Sequence, residues 1–297
     1  MKGYTVAMKE SMPKPRENPE AFSQEMRLSQ DYFELQVEYA FQVQRITHGS
    51  FEDVVAHYTN IMTVMYSGGE TPAESFASVE AFRASCQPFI ESKDVSHITR
   101  LIYDHSERVV RLHEKKEHPF GCFSYGRTLI TEPNSTLTSP GDEVRIHFTN
   151  LDNRAGGPLS SNKIDTRKRE LCLMIKAIRK DNPDTDLTVT GHSWLYNLSR
   201  YRELFPKEYQ ESIAPEDPEN PYSKLTNYSG LWLQFVKSDG SVNKPLAEEF
   251  LRKARAAATM EELLKAFPLK ALEARAPISA FYAMVEEYER EHPRELK

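Results

Sequence analysis

The segment Thr188-Val189-Thr190-Gly191-His192-Ser193-Trp194-Leu195-Tyr196-Asn197 presents an imidazole, a hydroxyl and a carboxamide just after a β-branched run that stops at glycine. Imidazole titrates near neutrality, so His192 is a candidate acid–base group. Ser193 can act as a nucleophile or as a capping hydroxyl, and Asn197 can hydrogen-bond a polar ligand. A second set lies upstream, where EVRIHFTN carries His147 and Asn150, with Asp152 and Arg154 just beyond. Arginine grips carboxylates and phosphates through a planar fork of donors. The catalytic candidates are therefore His192, His147 and Ser193, and the substrate-binding candidates are Asn150, Asp152, Arg154 and Asn197.

Gly191-His192-Ser193, between a strand and a helix, resembles the nucleophile elbow Gly-x-Ser-x-Gly of the α/β-hydrolases. The resemblance implies a nucleophilic role for Ser193, and it covers five residues. Leu195 stands where that motif has its second glycine. The family also places its acid and histidine after the serine, whereas the only histidine following His192 is His292, in the charged tail. A serine hydrolase is kept behind the other readings for these two reasons.

Other constellations fail on spacing. His113-Glu114-Lys115-Lys116-Glu117-His118 has the composition of a zinc-protease helix, but its histidines are five apart and do not share a helical face. Glu34 and Glu38 share one, yet no Glu-x-x-His partner accompanies them. No metal site is expected and no cofactor class is indicated. Cys86, Cys122 and Cys172 are odd in number and form no CxxC pair, which suits a reducing compartment. Cys172, inside an apolar run, reads as a small buried hydrophobe.

The elements that must position these residues follow from periodicity. A proline-bearing arm is expected over 1–20 and a helical segment over 21–118, where Phe33, Val37, Ala40 and Phe41 step by three and four. Ser50 with Asp53 forms a capping-box pattern before FEDVVAHYTNIMTVMY, with Gly68, Gly69 and Pro72 as its stop. From 119 to 242 the pattern becomes α/β. CFSYGRTLI and EVRIHFTN alternate as an antiparallel pair, with Val144, Ile146 and Phe148 on one face and Arg145 and His147 on the other. A helix near 163–181 then leads to strand DLTVTG, a strand–helix–strand order that makes EVRIHFTN and DLTVTG parallel neighbours. Arg167-Lys168-Arg169 reads as the solvated side of that helix. LWLQFV is the expected fourth strand. The segment 243–297 reads as C-terminal helices, with Asn243 and Thr259 as caps. The fold class is α/β or α+β: a helical N-terminal half, a small mixed sheet of about four strands with a βαβ crossover, and a helical C-terminus, whose segments can form one domain.

The 297 residues carry a net charge of −6, are 39% hydrophobic and 28% charged, and contain no apolar run of membrane-spanning length. No basic footprint points to nucleic acid, and no membrane partner is expected. The reading is a cytoplasmic enzyme acting on a small polar or anionic metabolite by acid–base or group-transfer chemistry. Its site is expected at the carboxyl edge of the sheet, where open α/β folds bind ligands. The alternative is a non-catalytic binding protein with a helical interaction surface.

Overall fold

The computed structural model describes residues 28–61, 83–110, 119–127, 143–152, 156–182, 186–215, 229–237 and 239–296. The expected arm, the stop at Gly68-Gly69 and the histidines at 113 and 118 lie outside the described residues.

The architecture is α/β, with helical regions at both ends of the chain flanking a mixed sheet. Its strands are β1 (Phe123–Arg127), β2 (Glu143–Phe148), β3 (Thr188–Ser193) and β4 (Leu272–Pro277), in the order β1-β2-β3-β4. β2 and β3 run parallel, while the two outer pairs are antiparallel. The main helices are α1 (Gln30–Thr47), α2 (Phe51–Tyr58), α3 (Val95–Val110), α4 (Ile164–Asp181), α5 (Lys244–Ala256), α6 (Met260–Lys265) and α7 (Ile278–Glu291). α4 is the crossover that parallel neighbours require, as the strand–helix–strand order implies.

Local signals explain several boundaries. Ser50 Oγ accepts the Asp53 N–H at the start of α2 and donates to the Asp53 carboxylate. Thr259 Oγ1 accepts the Glu262 N–H at the start of α6, and the Glu262 carboxylate returns to the Ala258 N–H. Asn243 makes no side-chain cap. α2 ends at Tyr58, short of the expected helix: Thr59 is extended and its Oγ1 donates back to the Val55 carbonyl, and Asn60 bonds to α1. Asn60 donates its N–H to Gln36 Oε1 and its side-chain amide to the Tyr32 hydroxyl, both on α1.

Two apolar cores organise these elements. The first joins α1, α2 and α3 to α5 and α6, with Tyr39, Trp232, Phe250 and Phe267 in mutual edge and stacked contact. The second packs Val144, Ile146, Val189, Ala274 and Ala276 of the sheet against Leu171, Met174 and Ile175 of α4 and Phe281 of α7. The chain after residue 243 is thus shared, with α5 and α6 in the first core and β4 and α7 in the second.

Two expectations are corrected. LWLQFV is not a strand: Ser229–Trp232 is helical and Leu233–Phe235 a 3-10 turn. Leu231, Trp232 and Phe235 are all buried, at helix rather than strand spacing, and they fill the first core. The fourth strand is instead Leu272–Pro277. Arg167 is not on a solvated face either; it is fully buried near the N-terminus of α4. Among the described residues no helix is long and apolar enough to cross a membrane.

Candidate functional site

The pleat sorts β2, β3 and β4 into two faces. Val144, Ile146, Val189, Ala274 and Ala276 face the helices, so Glu143, Arg145, Thr190, His192, Glu273 and Arg275 stand on the other side. Register aligns them in rows. Arg145 pairs with Thr190, which pairs with Arg275; one step along the same face, His192 pairs with Glu273. These residues line a cavity of about 290 Å³, rimmed by Ser212, Ala214 and Pro215. The rim is held by paired backbone bonds between Ala214 and Glu273, and by Ser212 Oγ, which accepts the Arg275 N–H. One guanidinium nitrogen of Arg275 lies 3.2 Å from Glu143 Oε1. Among the described residues no carboxylate pairs with Arg145. The cavity therefore holds two guanidinium groups, two carboxylates and an imidazole on one solvent-facing surface.

Of the residues singled out from sequence, His192 lines this cavity. His147 shares the face but stands over β1, with its Nε2 above Gly126. The β2–β3 ladder stops at Arg145 and Thr190, two residues short of both histidines. Burial, reinforced by the neighbouring Arg145 charge, pushes the His147 imidazole below its ordinary 6.5. Arg154 lies outside the described residues. Asn150 follows β2, half-buried.

Ser193 has extended backbone, and its Oγ accepts the Leu195 N–H at 3.1 Å. That bond caps the following 3-10 turn, and the extended backbone is not the strained turn that an elbow nucleophile occupies. Asn197 ties two parts of the molecule together: its side-chain amide donates to the carbonyls of Trp194 and Lys270, both at 2.7 Å. Trp194 packs against the helical core, while Leu195 and Tyr196 pack into the sheet core. This stretch is the strut between the two cores. Gly191 has a specific reason to be glycine. A Cβ there would collide with the hydroxyls of Tyr196 and Tyr209, which are hydrogen-bonded to each other at 2.6 Å beneath the strand.

Asp152 turns inward, away from the cavity. Its carboxylate meets Lys163 Nζ at 2.9 Å and Arg167 Nη2 at 3.4 Å, while Arg167 also pairs with Glu170 at 3.0 Å and with the Cys122 thiol. Glu170 accepts the Cys122 N–H, beside Gly121. Gly121 has φ of +60°, and a Cβ on it would run into the Glu170 carboxylate. Burial pushes the Glu170 carboxyl up, opposed by Arg167 and by the Cys122 N–H. Burial likewise raises the Cys122 thiol, and it takes the Cys172 thiol up to about 12. All three cysteines are free and buried.

Sequence reasoning missed the partners of His192 in the cavity. Arg145 was readable as an outward residue of β2, but Glu273 and Arg275 were hidden in an alanine-rich segment assigned to helix. Among the described residues no three His, Cys, Asp or Glu side chains gather as a metal site. Fold and site together define an α/β protein with a charged cavity on the face of a four-stranded mixed sheet opposite α4 and α7. Compared with known families, curated proteins and solved structures, the chain gives no match.

Proposed function

We propose that the protein is an enzyme acting on a small polar metabolite with an anionic group, bound on the open sheet face with His192 as the acid–base residue. The observation that carries the reading is the row Arg145–Thr190–Arg275 in register inside a cavity that also contains His192. Two guanidinium groups flanking one hydroxyl suit a carboxylate or phosphate oxygen, since charge-assisted bonds to arginine are among the stronger polar contacts. The imidazole stands one step along the same face, close enough to serve a group attached to that anion. Ser193 is left as a cap and Asn197 as a tie, so the chemistry centres on the histidine. A cytoplasmic location goes with this proposal, supported by three cysteines that remain free thiols.

The test is a thermal-shift and calorimetric screen of phosphate, small dicarboxylates, sugar phosphates and amino acids. At least one compound should raise the melting temperature of the wild-type protein, and Arg145→Ala and Arg275→Ala should each weaken its binding about tenfold or more. If no compound shifts the wild type, or if both variants bind as it does, the site is misassigned. With a ligand identified, His192→Gln should retain binding and lose turnover.

A further inference from the structure

We infer that the anionic group seated at Arg145 carries a single charge, so that the ligand is a small monocarboxylate rather than a phosphate monoester; this rests on the open-face site proposed above. The group that sets the preference is Glu143, which lines the cavity with only 12% of its side chain exposed and lies 3.2 Å from one guanidinium nitrogen of Arg275. Register shows how far that contact reaches. Arg275 is in line with Arg145, whereas Glu143 is one same-face step back, in line with Thr188 and Pro277. With strands ~4.8 Å apart and ~3.3 Å of rise per residue, the Arg275 and Glu143 Cα atoms stand ~12 Å apart, so Arg275 is drawn out across β3 toward β2. Arg145 therefore stands between the Glu143–Arg275 pair on one side and the His192 row on the other, and an anion held there directs the rest of the ligand toward the imidazole.

Charge then selects the class of anion. Glu143 already offsets Arg275, and among the described residues Arg145 has no carboxylate partner. The three side chains together keep one positive charge in excess, which one carboxylate cancels. The planar carboxylate also matches the fork of donors on Arg145. A phosphate monoester is doubly charged above its second pKa of about 6, so its second charge finds no free cation in this row and meets the Glu143 carboxylate instead. Glu273, the other carboxylate of the face, is engaged with a partner of its own and supplies no positive charge to a second anionic oxygen. The cavity volume of about 290 Å³ suits a small metabolite.

The experiment is calorimetry and thermal shift at pH 8 and constant low ionic strength, with propionate, ethyl sulfate and ethyl phosphate each titrated through the millimolar range. The first two probes carry one charge and the third carries two, while the two esters share a tetrahedral head. Propionate and ethyl sulfate should each bind about threefold or more tighter than ethyl phosphate. Glu143→Gln removes the opposing carboxylate and should narrow the gap between propionate and ethyl phosphate by about the same factor. The sulfate comparison needs no variant, so the outcome does not depend on the substitution folding. If ethyl phosphate binds as tightly as propionate, if ethyl sulfate follows ethyl phosphate, or if Glu143→Gln leaves the gap unchanged, the single-charge inference falls and the anion site stands. If no probe binds, both fall.

Discussion

The protein has two clusters of mixed charge, and they differ in what surrounds them. Asp152, Lys163, Arg167 and Glu170 lie beside α4 with their charged groups almost wholly out of solvent. Glu143, Arg145, Glu273 and Arg275 lie on the sheet face opposite the second core, and Arg275 remains half-exposed. Charge taken out of water must be paired within the protein, so every member of the first cluster is committed to another. Charge left at a wet, concave surface can exchange its water for a ligand. Similar residue types thus make a clamp in one place and, in the function proposed here, a binding surface in the other.

The strongest way to break this comparison is at Arg167. Arg167→Ala should cost about 3–5 kcal/mol in chemical denaturation, because it strands Asp152 and Glu170 in the interior. A loss under 1 kcal/mol would mean that the buried cluster is solvated after all. Next is Gly191→Ala, which should destabilise by about 1–3 kcal/mol through overpacking against the two tyrosine hydroxyls. Combining it with Tyr196→Phe and Tyr209→Phe should recover part of that loss, a coupling that a double-mutant cycle measures.

At the open face the same kind of substitution should scarcely touch stability. Arg145→Ala should stay within about 0.5 kcal/mol of wild type while ligand affinity falls. An unfolding free energy reduced as much as that of Arg167→Ala would show that the two clusters play the same role.

The smallest effect concerns pH. His147 has its folded pKa depressed below 6.5, so at mildly acidic pH the unfolded chain binds the proton more readily than the folded one. Its contribution to stability is present above pH 6.5 and is lost as pH falls from there through the depressed value. His147→Gln should flatten that part of the stability profile, and Arg145→Ala should raise the imidazole titration followed by NMR. A titration unmoved by Arg145→Ala would separate the two side chains.

Much of the fold was legible because it rests on period. The alternation in EVRIHF separated Val144 and Ile146 from Arg145 and His147, and the spacing of Leu171, Met174 and Ile178 marked the inner face of α4. Arg167 sits on that same spacing, four residues before Leu171, yet a basic triplet read on its own suggests solvent. Only the carboxylates waiting at Asp152 and Glu170 make its burial possible. LWLQFV and LEARAP exchanged roles for a related reason. Trp232 and Phe235 are as compatible with a strand as with a helix, and the alanines of β4 favour helix intrinsically, so the tertiary environment decided both.

The candidate site was legible in one residue. His192 could be placed because a strand stopping at glycine announces itself locally. Its companions Arg145, Glu273 and Arg275 are brought beside it by register between strands distant in the chain, which a single strand does not encode. The sequence by itself determined which residues alternate, where helices are capped and that β2 and β3 run parallel through a helical crossover. These depend on neighbours a few residues away and on the reach of the chain. The tertiary structure decided which charges are sealed and which stay wet, and that Ser193 caps a turn while Asn197 ties that turn to Lys270. Burial and long-range pairing are properties of the packed molecule, set by what each segment meets when the two cores close.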